Sequence, residues 1–212
     1  MKKFSVFLFA IMLFFSSVIV YGQAVMVSQT ITVNQARTLP HDSFVILSGN
    51  IVNMLSGGTN YTFRDSSGDI IVEIGAKHWR GLSVGVSDTV VIFGEVKINR
   101  GLVSIKAHAI SGTGRVNTRP GQAVFINRPI TIAEAVTLPH DSFIILNGNI
   151  INSQARRDDY TFRDSSGDIT VEIGSKHWRG LAIGISDRIE IFGEVKINRG
   201  IVTIKVHALR LI

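Results

Sequence analysis

Hydrophobic positions along the chain follow three rhythms. From Phe4 to Phe15 they run behind Lys2 and Lys3, interrupted only by Ser5, with Val18, Ile19 and Val20 beyond a pair of serines. A basic start, a short apolar run and the small Gly22 at its end predict a signal peptide over 1–22, cut before Gln23. No later stretch is apolar enough to span a bilayer, so no stable membrane insertion is expected once that segment is removed. The second rhythm is helical: Val33, Ala36 and Leu39 fall on one face behind Thr32 and Gln35, a reciprocal capping pair, and Pro40 is expected to end this short helix. The third is strand-like. Residues 44–53 (FVILSGNIVN) read as one long strand with Gly49 where a barrel strand bends. Residues 61–64 and 70–74 flank the turn Asp65-Ser66-Ser67-Gly68-Asp69, and 89–97 pairs with 102–110 around Asn99-Arg100-Gly101. Residues 77–82 connect the two hairpins and are too few for more than a turn of helix.

The whole order returns 99 residues later. LPHDSF recurs at 39–44 and 138–143, YTFRDSSGDI at 61–70 and 160–169, FGEVKINRG at 93–101 and 192–200, and 54 of 80 aligned positions are identical between 31–110 and 130–209. Thr131 and Glu134 repeat the capping pair. Residues 54–60 (MLSGGTN) and 153–159 (SQARRDD) share no position, so one loop has diverged as a block. These patterns predict an all-β protein of two tandem five-stranded OB-fold barrels, each preceded by a short N-terminal helix. The first domain is expected over 23–110 and the second over 124–212. A polar linker over 111–123, with Gly112, Gly114, Pro120 and Gly121, is expected to join independently packed units.

Composition narrows the function classes. Absence of cysteine excludes disulfides, thiolate metal sites, cysteine nucleophiles and a lipidated N-terminal cysteine. The formal charge of +6 includes Lys2 and Lys3, leaving +4 after cleavage; residues 31–110 hold seven basic and six acidic side chains, and 130–209 hold nine and ten. The basic excess therefore lies in Arg115, Arg119, Arg128 and Arg210, outside nearly neutral repeats. A domain that neutralises a run of phosphates is more basic than this, which argues against nucleic acid as a partner. The sequence contains no nucleophile elbow, phosphate loop or zinc-protease helix, so the chain is read as no enzyme. His41, His78 and His108, with their copies His140, His177 and His207, lack the close spacings of zinc sites. The Asp65–Asp69 turn is too short for a calcium loop. No metal or cofactor is expected.

Gly49–Ile51, the Y-x-F-x-D-x-S-G-x-I string over 61–70, the Trp79-x-Gly81 step and Gly94-Glu95-Val96 together resemble the bacterial OB-fold (BOF) family, the YgiW/YdeI-like periplasmic stress-tolerance proteins. The resemblance covers nearly all of both copies. It implies a periplasmic, non-catalytic module that binds small ligands under envelope stress. The chain departs from that pattern in carrying two domains. It also places Lys97, Lys106, Lys196 and Lys205 where the family carries carboxylates, which points to a polar or anionic ligand, or an envelope component, instead of a cation.

Two places are candidates for binding. Lys77-His78-Trp79-Arg80 and its copy around Trp178 combine an aromatic plane with cations, as a stacking or anion site would; alternatively the tryptophan plugs the barrel end. The second is the rim formed by loop 54–60, Tyr61, Arg64, Lys97, Arg100 and Lys106, repeated as Arg156, Arg157, Tyr160, Arg163, Lys196, Arg199 and Lys205, since OB-folds bind across their second and third strands between the bordering loops. The rim's bland reading is a solvated charged surface. The alternative function is an exported single-stranded nucleic-acid binder, which the fold permits, although Tyr61 and Phe63 are the only aromatics offered by the candidate strands.

Overall fold

The structure, a computed structural model, describes residues 25–79, 82–112, 123–153, 158–178 and 180–212. The expected signal peptide, most of the linker, and Arg80, Arg156, Arg157 and Arg179 lie outside the described residues.

Each repeat builds the same unit. In the first, β1 (Met26–Ile31) leads into α1 (Val33–Ala36), then β2 (Phe44–Met54), β3 (Asn60–Asp65), β4 (Gly68–Glu73), α2 (Ala76–Trp79), β5 (Thr89–Asn99) and β6 (Leu102–Gly112). The second runs β7 (Phe125–Ile130), α3 (Ile132–Ala135), β8 (Phe143–Ser153), β9 (Asp159–Asp164), β10 (Gly167–Glu172), α4 (Ser175–Trp178), β11 (Ile189–Asn198) and β12 (Ile201–Leu211). Strand order β2-β3-β4-β6-β5 closes because β2 also pairs with β5, and β8 with β11 closes the second barrel. Full closure leaves these five strands without a free edge.

β1 and β7 were not legible as strands. Each joins its barrel in parallel, Thr30 opposite Ile46 and Pro129 opposite Ile145, with an irregular register that disguises any alternation. Both capping boxes form, Thr32 with Gln35 and Thr131 with Glu134. The helices stop at Ala36 and Ala135, so Pro40 marks the following turn and not the helix end.

The repeated motifs are largely joints. Asp65 Oδ2 accepts the Val33 N–H at 2.7 Å while its Oδ1 accepts from Ser67 and Gly68, tying the β3–β4 turn to the open end of α1. In LPHDSF, Asp42 adopts φ 64°, a conformation aspartate tolerates better than most residues, and donates its N–H to Val96 O. His41 Nδ1 accepts the Ile98 N–H at 2.9 Å, so this turn clamps the far end of β5.

Each barrel has its own core, around Leu47, Phe63, Val72, Ile92 and Ile105 in the first and Leu146, Phe162, Val171, Ile191 and Ile204 in the second. A third apolar cluster lies between them: Phe44, Ile46, Phe93 and Ala109 meet Phe143, Ile145, Phe192 and Ala208. Phe93 stacks on Phe192, each flanked by its own barrel's Phe44 or Phe143 at 5.4 and 5.6 Å. The barrels are therefore packed against each other through outward residues of β2, β5 and β6 and their copies, an arrangement the polar linker did not announce. All eight members are at matching positions of the repeat, giving a self-complementary interface within one chain.

Candidate functional site

The registers order the outer face of the first barrel. Thr62, Ile71, Ser104 and Lys97 lie in one cross-strand row, and Asn60, Glu73, Lys106 and Glu95 in the next. At the other end of the hairpin Arg64 is paired to Asp69 through Nε at 2.5 Å and a terminal nitrogen at 2.6 Å, a bidentate contact that raises the guanidinium and lowers the carboxyl. The second barrel repeats this with Arg163 and Asp168, and carries Thr170 where the first has Ile71.

Lys97 and Lys196 sit within ion networks. Asp42 holds the Lys97 ammonium at 2.6 Å and Glu95 holds it at 3.0 Å; Asp141 and Glu194 hold Lys196 at 2.7 and 3.0 Å. Burial would push the Glu95 carboxyl up, but hydrogen bonds from His108 and Lys97 outweigh it and hold the carboxyl at about 2; Glu194 behaves alike beside His207 and Lys196. Lys106 and Lys205 are exposed on the face. Arg100 and Arg199 occupy the hairpin tips at φ 50°. The tips also expose Leu102 and Ile201.

Tyr61 and Trp79 do not join that face. Both pack against the first core and meet edge to face with centroids 5.1 Å apart; Tyr160 and Trp178 repeat the contact at 5.0 Å. The tryptophan is thus a plug held by a tyrosine, the bland alternative for the Lys77-His78-Trp79 segment, while the His78 ring turns toward Phe143 of the other barrel at 6.5 Å. Phe63 is fully buried, so neither aromatic of β3 is presented for base stacking. The surface that remains pairs Arg64 with Asp69 and sets Glu73 beside Lys106 in register.

Sequence reasoning missed a concavity that adjoins the copy of this face in the second barrel. At the end of β9 away from the diverged loop, Arg128, Asn147, Arg163 and Arg188 line a cleft of about 580 Å³. Its signal was available as the substitutions Gln29 to Arg128 and Thr89 to Arg188 between the repeats. These fall at segment edges where strand patterning gave them no face.

Two closed five-stranded barrels with a helical connector between the third and fourth barrel strands define a tandem OB-fold protein. The family model described as "Bacterial OB fold (BOF) protein" matches residues 20–111 and again 118–211, and the chain belongs to that family. It is 48% identical to Protein YgiW of Escherichia coli strain K12 over 65 residues, 31% of this chain and 49% of YgiW, so the match spans about half of that relative's length. An uncharacterized protein of Haemophilus influenzae is 30% identical over 87 residues, 41% of this chain and 71% of that protein. The solved structure of the hypothetical protein ygiW from E. coli aligns at 33% identity and TM-score 0.39, covering 42% of this chain and 96% of that one.

Proposed function

We propose that the chain is an exported, periplasmic binding protein of the envelope stress-tolerance type, without catalytic activity, whose barrels present the outer face of β3, β4 and β6 and its copy to a small polar ligand. The observation that carries this reading is the charge balance of the face. Arg64 is neutralised by Asp69, Glu73 lies beside Lys106, and the strip between them is Thr62, Ile71 and Ser104. Such a surface offers directional hydrogen bonds with little net field, which suits a compact polar molecule. A single-stranded nucleic acid needs unpaired cations along its backbone and exposed aromatics beneath its bases. Here Tyr61 and Phe63 serve the core instead. Export rests on the basic and apolar opening of the sequence.

The two classes separate by titrating the mature chain with a fluorescent oligothymidine at low and moderate salt. The proposed reading expects no saturable binding above micromolar weakness. Tight binding that weakens steeply with salt would replace it with a nucleic-acid function.

A further inference from the structure

The cleft of the second barrel adjoins the β9–β10 face, with Arg163 at the border of both, and differs chemically from its counterpart. Three arginines reach it from separate elements: Arg128 from β7, Arg163 from the end of β9, and Arg188 from the residue before β11. At the matching positions the first barrel has Gln29, Arg64 and Thr89, so two of the three guanidinium groups belong to the second copy alone.

The acidic side chains in the cleft are already engaged. Asp164 Oδ2 accepts the Ile132 N–H at 2.7 Å, and its Oδ1 accepts from Ser166 and Gly167. Glu134 Oε2 accepts the Thr131 N–H at 3.0 Å as the return half of the capping box, while its Oε1 is 3.7 Å from Arg128. Arg163 is committed to Asp168. Arg188, exposed, makes no side-chain hydrogen bond or ion pair among the described residues. Arg128 is held by nothing closer than the carbonyl of Pro129 at 3.3 Å.

We propose that this cleft is an anion site of the second domain alone, taking one small oxyanion of two or more charges, carboxylate or phosphate, between Arg128 and Arg188. Guanidinium groups match the paired oxygens of either anion and hold them through two parallel hydrogen bonds. The volume admits a molecule of several non-hydrogen atoms, well beyond a single halide. The site borders the face assigned under the proposed function and shares Arg163 with it, but its proposed anion contacts are Arg128 and Arg188, so it stands or falls independently of that reading.

The test is calorimetric titration of the mature chain with inorganic pyrophosphate and, separately, with citrate, at low ionic strength and again in high salt. One equivalent of at least one anion binds, more weakly in high salt, and the preference between them assigns phosphate or carboxylate. Replacing both arginines by the first repeat's residues, R128Q with R188T, weakens binding at least about tenfold with an unchanged melting temperature. The reciprocal pair Q29R with T89R installs a second equivalent. Absence of saturable binding for both anions, two equivalents in the unaltered chain, or binding indifferent to the double replacement overturns the proposal.

Discussion

The imidazole rings of His108 and His207 face each other across the junction of the two barrels, with centroids 5.4 Å apart and planes inclined by 41°. Each ring also meets a carboxylate of its own barrel, His108 with Glu95 at 3.4 Å and His207 with Glu194 at 3.2 Å. Burial dominates at His207 and pulls its pKa below 6.5, helped by the charge of His108 across the junction and by Lys205, and opposed by Glu194. The interface is therefore built for a neutral His207.

Acid should weaken the fold in two stages. The unfolded chain takes up a proton on this histidine below 6.5 while the folded one resists it, so stability present above that pH declines as pH falls through it. A second loss follows between 4.5 and about 2, where Glu95 and Glu194 would protonate in the unfolded chain first. Melting temperature measured across pH should show both stages in the native chain and only the second in His207→Gln; a curve level from pH 7 to 5 would remove the junction from this account.

The aromatic stack at the junction should make the barrels melt together. Phe93 is fully buried and belongs to the bridging cluster, not to its barrel's core. Phe93→Ala should cost about 3 kcal/mol and split a single calorimetric transition into two. Two transitions already present in the unaltered chain would show that the bridge contributes nothing to cooperativity.

Gly49 and Gly148 bear on barrel closure. A Cβ on Gly49 would meet the carbonyl oxygen of Arg64 and lie 2.8 Å from the Phe63 ring, and Gly148 is enclosed in the same way by Arg163 and Phe162. Gly57, in the open loop, has nothing within 4 Å but a φ of 109°. Gly49→Ala should therefore destabilise by several kcal/mol, on the order of 3 or more, through overpacking, and Gly57→Ala by about 1 through backbone strain alone. Equal losses in denaturant midpoints would contradict this placement.

The second barrel carries an ion pair on a buried carboxylate that the first lacks. Glu190, 5% exposed, accepts from Arg210 Nε at 2.9 Å, and the Asn147 amide, oriented by its neighbours, donates to its other oxygen at 3.3 Å. The first barrel has Val91, Ser111 and Ser48 at those positions. Removing only the cation leaves a buried charge, so Arg210→Ala should destabilise by about 3 kcal/mol, whereas Glu190→Val with Arg210→Ser should be nearly neutral. Urea titrations of the two variants distinguish these outcomes; comparable losses would mean that the pair itself is a net stabiliser.

Local chemistry was the readable part of the sequence. Thr32 with Gln35, the Asp65–Gly68 turn and Gly49 each act through near neighbours or through a hydrogen bond that one residue type makes well, and all three appear where their spacing places them. β1 was missed because a parallel edge strand with an irregular register leaves no alternation to read. Phe93 and Phe44 read equally well as core, since burial between domains and burial inside a barrel leave the same apolar signature; only their outward register separates the two. Lys97 looked available because its partners Asp42 and Glu95 come from a distant turn and from the same strand face, a meeting that depends on closure. Tyr61 was read onto the rim for a similar reason, since strand parity alone does not say which face turns inward, whereas Trp79 was left open between a surface site and the barrel plug that it forms.

The most direct test of the binding-protein account is native mass spectrometry of the chain purified from the envelope of its own organism. The account predicts a chain beginning at Gln23 that retains a small polar molecule, released on gentle activation and absent after K106A with K205A. A chain still bearing Met1, or one carrying an oligonucleotide in place of a small molecule, would contradict it.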